Sequence, residues 1–134
     1  MRVIMTHEQA DFDALASLLG AYLLDDEAVP VLPRRANRNV RSFITLYGLE
    51  LPFVDPRDLP NEAITHITLV DAQSLVSLKG MSTNTHIHVV DHHPKREHLP
   101  PEWSVVSMPT GATTTILVEM LRETSLALSP IQAT

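Results

Sequence analysis

The chain has 134 residues, 44% of them apolar and 19% charged, with no cysteine and a formal net charge of -6. A domain of that size buries roughly two-thirds of the surface its unfolded chain exposes, so one ordinary core suffices without a disulfide or a structural metal. Zero cysteine excludes disulfides, thiolate zinc sites, iron–sulfur clusters and Cys nucleophiles, and the acidic balance argues against a duplex-nucleic-acid binder held mainly by Lys and Arg. No long apolar core follows Arg2 and no run approaches ~18 apolar residues, so neither a signal peptide nor a membrane span is expected, and cytoplasmic is the default location.

Apolar β-rich runs alternate with segments of helical period, the pattern of an α/β fold: an open, mostly parallel five-stranded sheet with helices on both faces. The first strand is predicted over Arg2 to Thr6. A helix follows from about Asp13, with Ala14, Leu15, Leu18, Leu19, Tyr22 and Leu23 in an i, i+3, i+4 stripe that stops at Asp25-Asp26-Glu27 and Pro30. A short second strand around Val31-Leu32 leads to a helix from Asn39 to Tyr47, which Gly48 closes. Pro52, Pro56 and Pro60 make the next stretch a connecting loop, with a short edge strand at Phe53-Val54. Buried strands are predicted at Ile67 to Ala72 and His86 to Asp91, separated by a short helical or irregular piece from Ser74 to Lys79. A fifth strand, Trp103 to Met108, precedes a helix beginning near Ala112, and Ser129-Pro130 reads as the start of one more helix.

Acids and imidazoles gather where these strands end. His7 follows the first strand, Asp11 and Asp13 sit at the turn into the first helix, Asp71 ends the third strand, and Asp91-His92-His93 ends the fourth. Ligands of an open parallel sheet bind outside the carboxyl ends of its strands, so loops far apart in sequence converge on one edge. His and Asp suit manganese, magnesium or zinc, and carboxylates shared by two ions form a site that activates water against phosphorus. Taken singly, each has a plainer reading: Asp13 as a helix cap, Asp71 as a turn residue. Their joint placement after successive strands carries the shared-site reading.

The segments THEQADFDALAS, LVDAQ and VVDHHPKR resemble, in order and spacing, the first three motifs of the DHH phosphoesterase superfamily, and GATTTILVEML is similar to the helix before its fourth motif. The resemblance runs from residue 2 to the end. It implies a hydrolase acting on phosphodiester or phosphoanhydride bonds of nucleotides or short RNA, with two manganese ions, magnesium being an alternative. It also implies that His7 and Asp11 hold one ion, that Asp13 and His92 hold the other, and that Asp71 bridges them. Asp91 then orients an imidazole, and His93 faces the substrate phosphate, so that these two form the catalytic pair around a metal-activated water.

The DFDALAS variant, with Asn-Val-Arg and Leu-Pro-Phe downstream, looks most like the DHH domain at the N-terminus of proteins that also carry CBS domains and a tRNA nucleotidyltransferase or poly(A) polymerase head. Phe12 stands where many relatives place a small residue. The superfamily's fourth motif and its C-terminal substrate-binding domain have no counterpart up to Thr134. Residues 1–134 are therefore expected to be the N-terminal portion of the domain, with an incomplete second metal site and little substrate affinity. The main alternative is a non-catalytic metal- or RNA-binding module beside the nucleotidyltransferase. A receiver-like domain holding one magnesium is a second, and a homodimer is left open.

The remaining features read as structural. Arg34, Arg35, Arg38 and Arg41 form a basic stretch that is either solvated or meets phosphates. His86 and His88 share a strand face without a third nearby ligand, Trp103 anchors the fifth strand in the core, and Thr113 to Thr115 cap a helix.

Overall fold

The alternating runs fold into one parallel sheet in this computed structural model, which describes residues 1–107 and 112–124. The order along the chain is β1 (Arg2–Met5), α1 (Phe12–Leu24), β2 (Val29–Pro30), α2 (Arg38–Tyr47), β3 (His66–Val70), β4 (His86–Asp91), β5 (Ser104–Ser107) and α3 (Thr113–Thr124). The strands lie side by side as β2-β1-β3-β4-β5, every neighbouring pair parallel. The register sets Met5 opposite Leu69, Val70 opposite Val90 and Asp91 opposite Ser107, so the chain leaves successive strands along one edge. Strand order reverses between β1 and β3, and a sheet of this kind opens a crevice at that switch point. The residue that follows Asp91, and those that follow β1 and β3, all emerge there.

Alternation along the strands sorts the core into two layers. Ile4, Val70 and Val90 face one way and pack with Leu15, Leu18 and Ala21 of α1, Val40 of α2, and Ile116 and Leu117 of α3. Val3, Met5, Ile67, Leu69, Ile87 and Val89 face the other way. The fold class is the expected one, and the difference lies in how this second face is covered. All three described α-helices lie on the first face, whereas Leu59, Leu75, Val76, Leu78, Met81 and Trp103 cover the second from irregular segments. A right-handed crossover from β3 to β4 must run over that face. The connecting stretch holds no helix and turns at Gly80, which sits at φ +102° with the Glu62 carbonyl 2.4 Å from where a Cβ would stand. On the first face, Gly20 allows a close approach of α1 to α3, since a Cβ there would lie 3.1 Å from Leu117 Cβ.

Local chemistry explains where the predicted boundaries move. α1 starts at Phe12 because the Asp11 side chain accepts from the Ala14 N–H at 2.9 Å, so Asp11 is the cap and Asp13 sits in the first turn. The second strand lies two residues earlier than expected, and Val31 makes the bridge to Val54 that the Phe53-Val54 edge strand anticipated. Gly48 does end α2, yet in the right-handed conformation (φ -58°), and a 3-10 turn over Gly48–Glu50 continues the chain. No described helix is long and apolar enough to cross a membrane. The helix expected at Ser129-Pro130 lies outside the described residues, as does Met108 at the end of the fifth predicted strand.

Candidate metal centre

Asp71 is the pivot of the site. It lies immediately after β3, is 4% exposed, and adopts the left-handed backbone at φ 55°, a conformation that Asp tolerates better than most side chains. Its N–H donates to the Val90 carbonyl, which holds the turn against β4. The two carboxylate oxygens point to different histidines: Oδ2 lies 3.2 Å from His7 Nε2, and Oδ1 lies 3.3 Å from His92 Nε2. Asp71 thus belongs to both groups of converging donor atoms among the described residues, one with His7 and Asp11, the other with Asp91, His92 and His93. Asp13 joins on the His92 side, with Oδ2 3.9 Å from His92 Nε2. All seven residues singled out in the sequence meet at the switch point.

The protonation of His7 follows from its partners. The Glu8 carbonyl can only accept, so Nδ1–H donates to it at 2.7 Å, and a bond from Nε2 to Asp71 then requires a second ring proton. The Asp71 carboxylate, against partial burial and with help from the Glu8 carbonyl, pushes the His7 imidazole up to about 9. In the metal-free chain a proton therefore stands where a cation would. Oxygen and imidazole donors without thiolate, gathered around a buried carboxylate that already demands positive charge, fit a divalent ion such as manganese, magnesium or zinc.

Asp91 is 1% exposed and serves a different purpose. Its Oδ1 accepts from His93 Nδ1 at 2.8 Å and from the His92 N–H at 2.9 Å, while its Oδ2 accepts from Gln73 Nε2 at 2.8 Å. Burial alone would raise its pKa, but the bonds from Gln73 and His93 outweigh it and hold the carboxyl below the ordinary range. The imidazole it orients is that of His93, whose side chain is 58% exposed.

Two residues carry more of this site than the sequence suggested. Gln73, two positions beyond Asp71, also donates to the Pro94 carbonyl at 2.9 Å and accepts from the Arg96 N–H at 2.8 Å. It ties the β3 turn to the loop after β4. Its place in LVDAQ, on the loop of a candidate ligand, was the one available signal. Thr113, fully buried at the start of α3, donates its N–H to Asp13 Oδ2 at 3.2 Å, and its Oγ1 lies 3.2 Å from Asp71 Oδ1 and 3.1 Å from the His92 N–H. That hydroxyl braces carboxylates, where the sequence suggested a helix cap.

A family model described as the DHH family, N-terminal domain, matches residues 2–133. This chain belongs to the DHH family. Among curated proteins, an A-adding tRNA nucleotidyltransferase of Geobacter sulfurreducens is 30% identical over 141 residues, covering 100% of this chain and 16% of that protein. Another, from Aquifex aeolicus, is 26% identical over 133 residues, covering 99% and 15%. The DHH chain described here thus spans about a sixth of the length of these relatives. A Methanococcus jannaschii crystal structure, titled as a candidate family II inorganic pyrophosphatase, superposes with a TM-score of 0.69 at 21% identity, covering 99% of this chain and 45% of that one. That likeness establishes the shared fold.

The secondary features resolve more simply. His88 Nδ1 pairs with Ser104 Oγ at 2.9 Å and His86 stacks on His66 with centroids 5.0 Å apart, both away from the switch point. Trp103 is partly buried against the second core layer. Arg34, Arg35, Arg38 and Arg41 are exposed, and Phe12 is 48% exposed with its ring edge-on to Phe43.

Proposed function

We propose that this chain carries the metal-binding half of a phosphoesterase site that hydrolyses phosphodiester or phosphoanhydride bonds of nucleotides or short RNA, with manganese, or magnesium in its place. The observation that carries this reading is Asp71, buried and offering one oxygen to His7 and the other to His92. His7, Asp11 and Oδ2 of Asp71 would hold one ion; Asp13, His92 and Oδ1 of Asp71 would hold the second. Such a pair, when bound, lowers the pKa of a water and offsets the charge of a phosphate.

The chain's own groups do the rest. The Glu8 carbonyl fixes His7 so that Nε2 faces Asp71. Asp91 fixes the Nδ1–H of His93, which leaves Nε2 of that exposed ring to bind a phosphate oxygen or to pass a proton to the leaving group. Thr113 and Gln73 hold the carboxylates in register and keep their buried oxygens satisfied.

The test uses the full-length protein with a generic phosphodiester and added manganese. Hydrolysis should appear with the metal and fall at least about a hundredfold in Asp71→Ala and in His92→Ala. Unchanged activity in both variants overturns the reading. A second reading, a metal-holding module without hydrolysis beside a nucleotidyltransferase, draws support from the relatives, of which this region is only 15–16%. Stoichiometric manganese binding without any turnover would favour it.

A further inference from the structure

Two cavities meet beside the DHH turn. The smaller, about 240 Å³, opens on His7, Asp91 and His93, and of these His93 is the one that faces the phosphate in the proposed function. The larger, about 660 Å³, is walled by Leu75, Leu99, Pro100 and Trp103, with Glu97 and His98 also in its lining. Gln73 and Arg96 line both. The larger cavity has the size and mixed apolar lining of small-molecule sites, which run from ~300 to ~1,000 Å³ with a few placed polar groups. It lies outside the metal ligands altogether.

Arg96 is set at the junction by its backbone. Its N–H donates to Gln73 Oε1 at 2.8 Å, and the same amide holds Asp91 through Nε2, so Arg96 is fixed relative to the carboxylate that orients His93. The Arg96 side chain is exposed, and among the described residues its guanidinium has no ion pair. A planar fork of donors next to a phosphate site recognises phosphate oxygens in pairs. An indole and three aliphatic side chains beyond it suit the faces of a nucleobase, which stacks on aromatic surface whatever its sequence context.

We propose that the cavity walled by Leu75, Leu99 and Trp103 is a nucleoside pocket, with Arg96 anchoring the phosphate that joins the nucleoside to the metal edge. The proposal rests on the phosphoesterase reading and sharpens it: the substrate is a nucleotide or a nucleotide end, in preference to pyrophosphate or polyphosphate. Trp103 is the one tryptophan of the chain and therefore reports on its own pocket.

The test follows Trp103 fluorescence of the 134-residue chain in magnesium buffer during titration with AMP, adenosine or ribose 5-phosphate. AMP should change the emission saturably, adenosine should do so more weakly, and ribose 5-phosphate should leave it unchanged. Arg96→Gln should weaken AMP about tenfold, equivalent to about 1.4 kcal/mol, and leave adenosine unaffected. Leu99→Glu, which replaces an apolar wall of the pocket with a second carboxylate beyond that of Glu97, should abolish the response to both while manganese binding by calorimetry persists. Emission unmoved by AMP, or AMP affinity unchanged in Arg96→Gln, overturns the proposal and leaves the metal reading standing. Absence of manganese binding overturns the metal reading instead, and the adenosine response, which needs no metal, separates the two.

Discussion

Replacing Gln73 by Met removes one amide of nearly the same length and tests whether that side chain holds the site together. Among the described residues, Gln73 Nε2 is the only donor to Asp91 Oδ2, at 2.8 Å, and that carboxylate is 1% exposed. Losing a hydrogen bond to a buried charged group costs about 1.5–3 kcal/mol. The other three partners, the His93 and Pro94 carbonyls and the Arg96 N–H, are part-buried neutral groups of exposed residues that water can reach, so they add less than the buried carboxylate. The expected loss is therefore about 2–3 kcal/mol, which for a chain of this size lowers Tm by roughly 10 °C.

The pH dependence has a definite sign. The folded-state pKa of Asp91 is depressed, so its stabilisation is present above the unfolded-state value of about 3.9 and is lost as the pH falls through the lower folded value. The Gln73→Met penalty should be complete near neutrality and shrink below about pH 4. Thermal melts followed by circular dichroism, in chelator, at neutral and acid pH measure both. A gap under about 0.5 kcal/mol at neutral pH, the scatter of an ordinary surface substitution, would refute the reasoning, as would an equal gap in acid.

Asp71→Asn should retain the fold, because Asn also accepts the left-handed backbone at φ 55°, yet lose at least about a hundredfold in manganese affinity by calorimetry. Asp71→Ala should lose that affinity and, in denaturant titrations of the metal-free chain, about 1 kcal/mol more than Asn from backbone strain. The raised His7 pKa stabilises the metal-free chain fully below the unfolded-state value of about 6.5 and progressively less as the pH rises through about 9. Its side chain is 33% exposed, so screening limits this to about 1–2 kcal/mol, and a stability that rises between neutral and alkaline pH would contradict it. Because that proton stands between His7 and Asp71, manganese binding near neutral pH should release about one proton, read from calorimetry in buffers of different ionisation enthalpy. Gly80→Ala should cost about 2–4 kcal/mol in chemical unfolding, since φ +102° and a carbonyl 2.4 Å from the new Cβ leave no relaxed place for it.

Much of the candidate site was legible in the sequence because parallel sheets send every strand's end to the same edge. Apolar runs located His7, Asp71 and Asp91-His92-His93 at strand termini, and the DHH turn marked the fourth strand to the residue. What the runs could not supply was pairing. The order β2-β1-β3-β4-β5 sets the first and third strands side by side, and that adjacency alone brings His7 to within 3.2 Å of Asp71 across 64 positions of chain. Gln73 escaped notice for the same reason, as an amide acquires its role only once the loop after β4 folds over it.

Local chemistry thus determined from the sequence which residues form strands and helices and which acids and imidazoles stand at their ends, since periodicity and turn residues act over a few positions. The tertiary structure decided the rest. It settled that Asp11 caps α1 while Asp13 turns to Thr113, that Asp71 divides its oxygens between two histidines, and that Asp91 serves His93. It also covered the second sheet face with irregular chain rather than an α-helix. Each of those outcomes depends on distances between segments remote in sequence, and such distances exist only after strand order, crossover hand and core packing have been chosen.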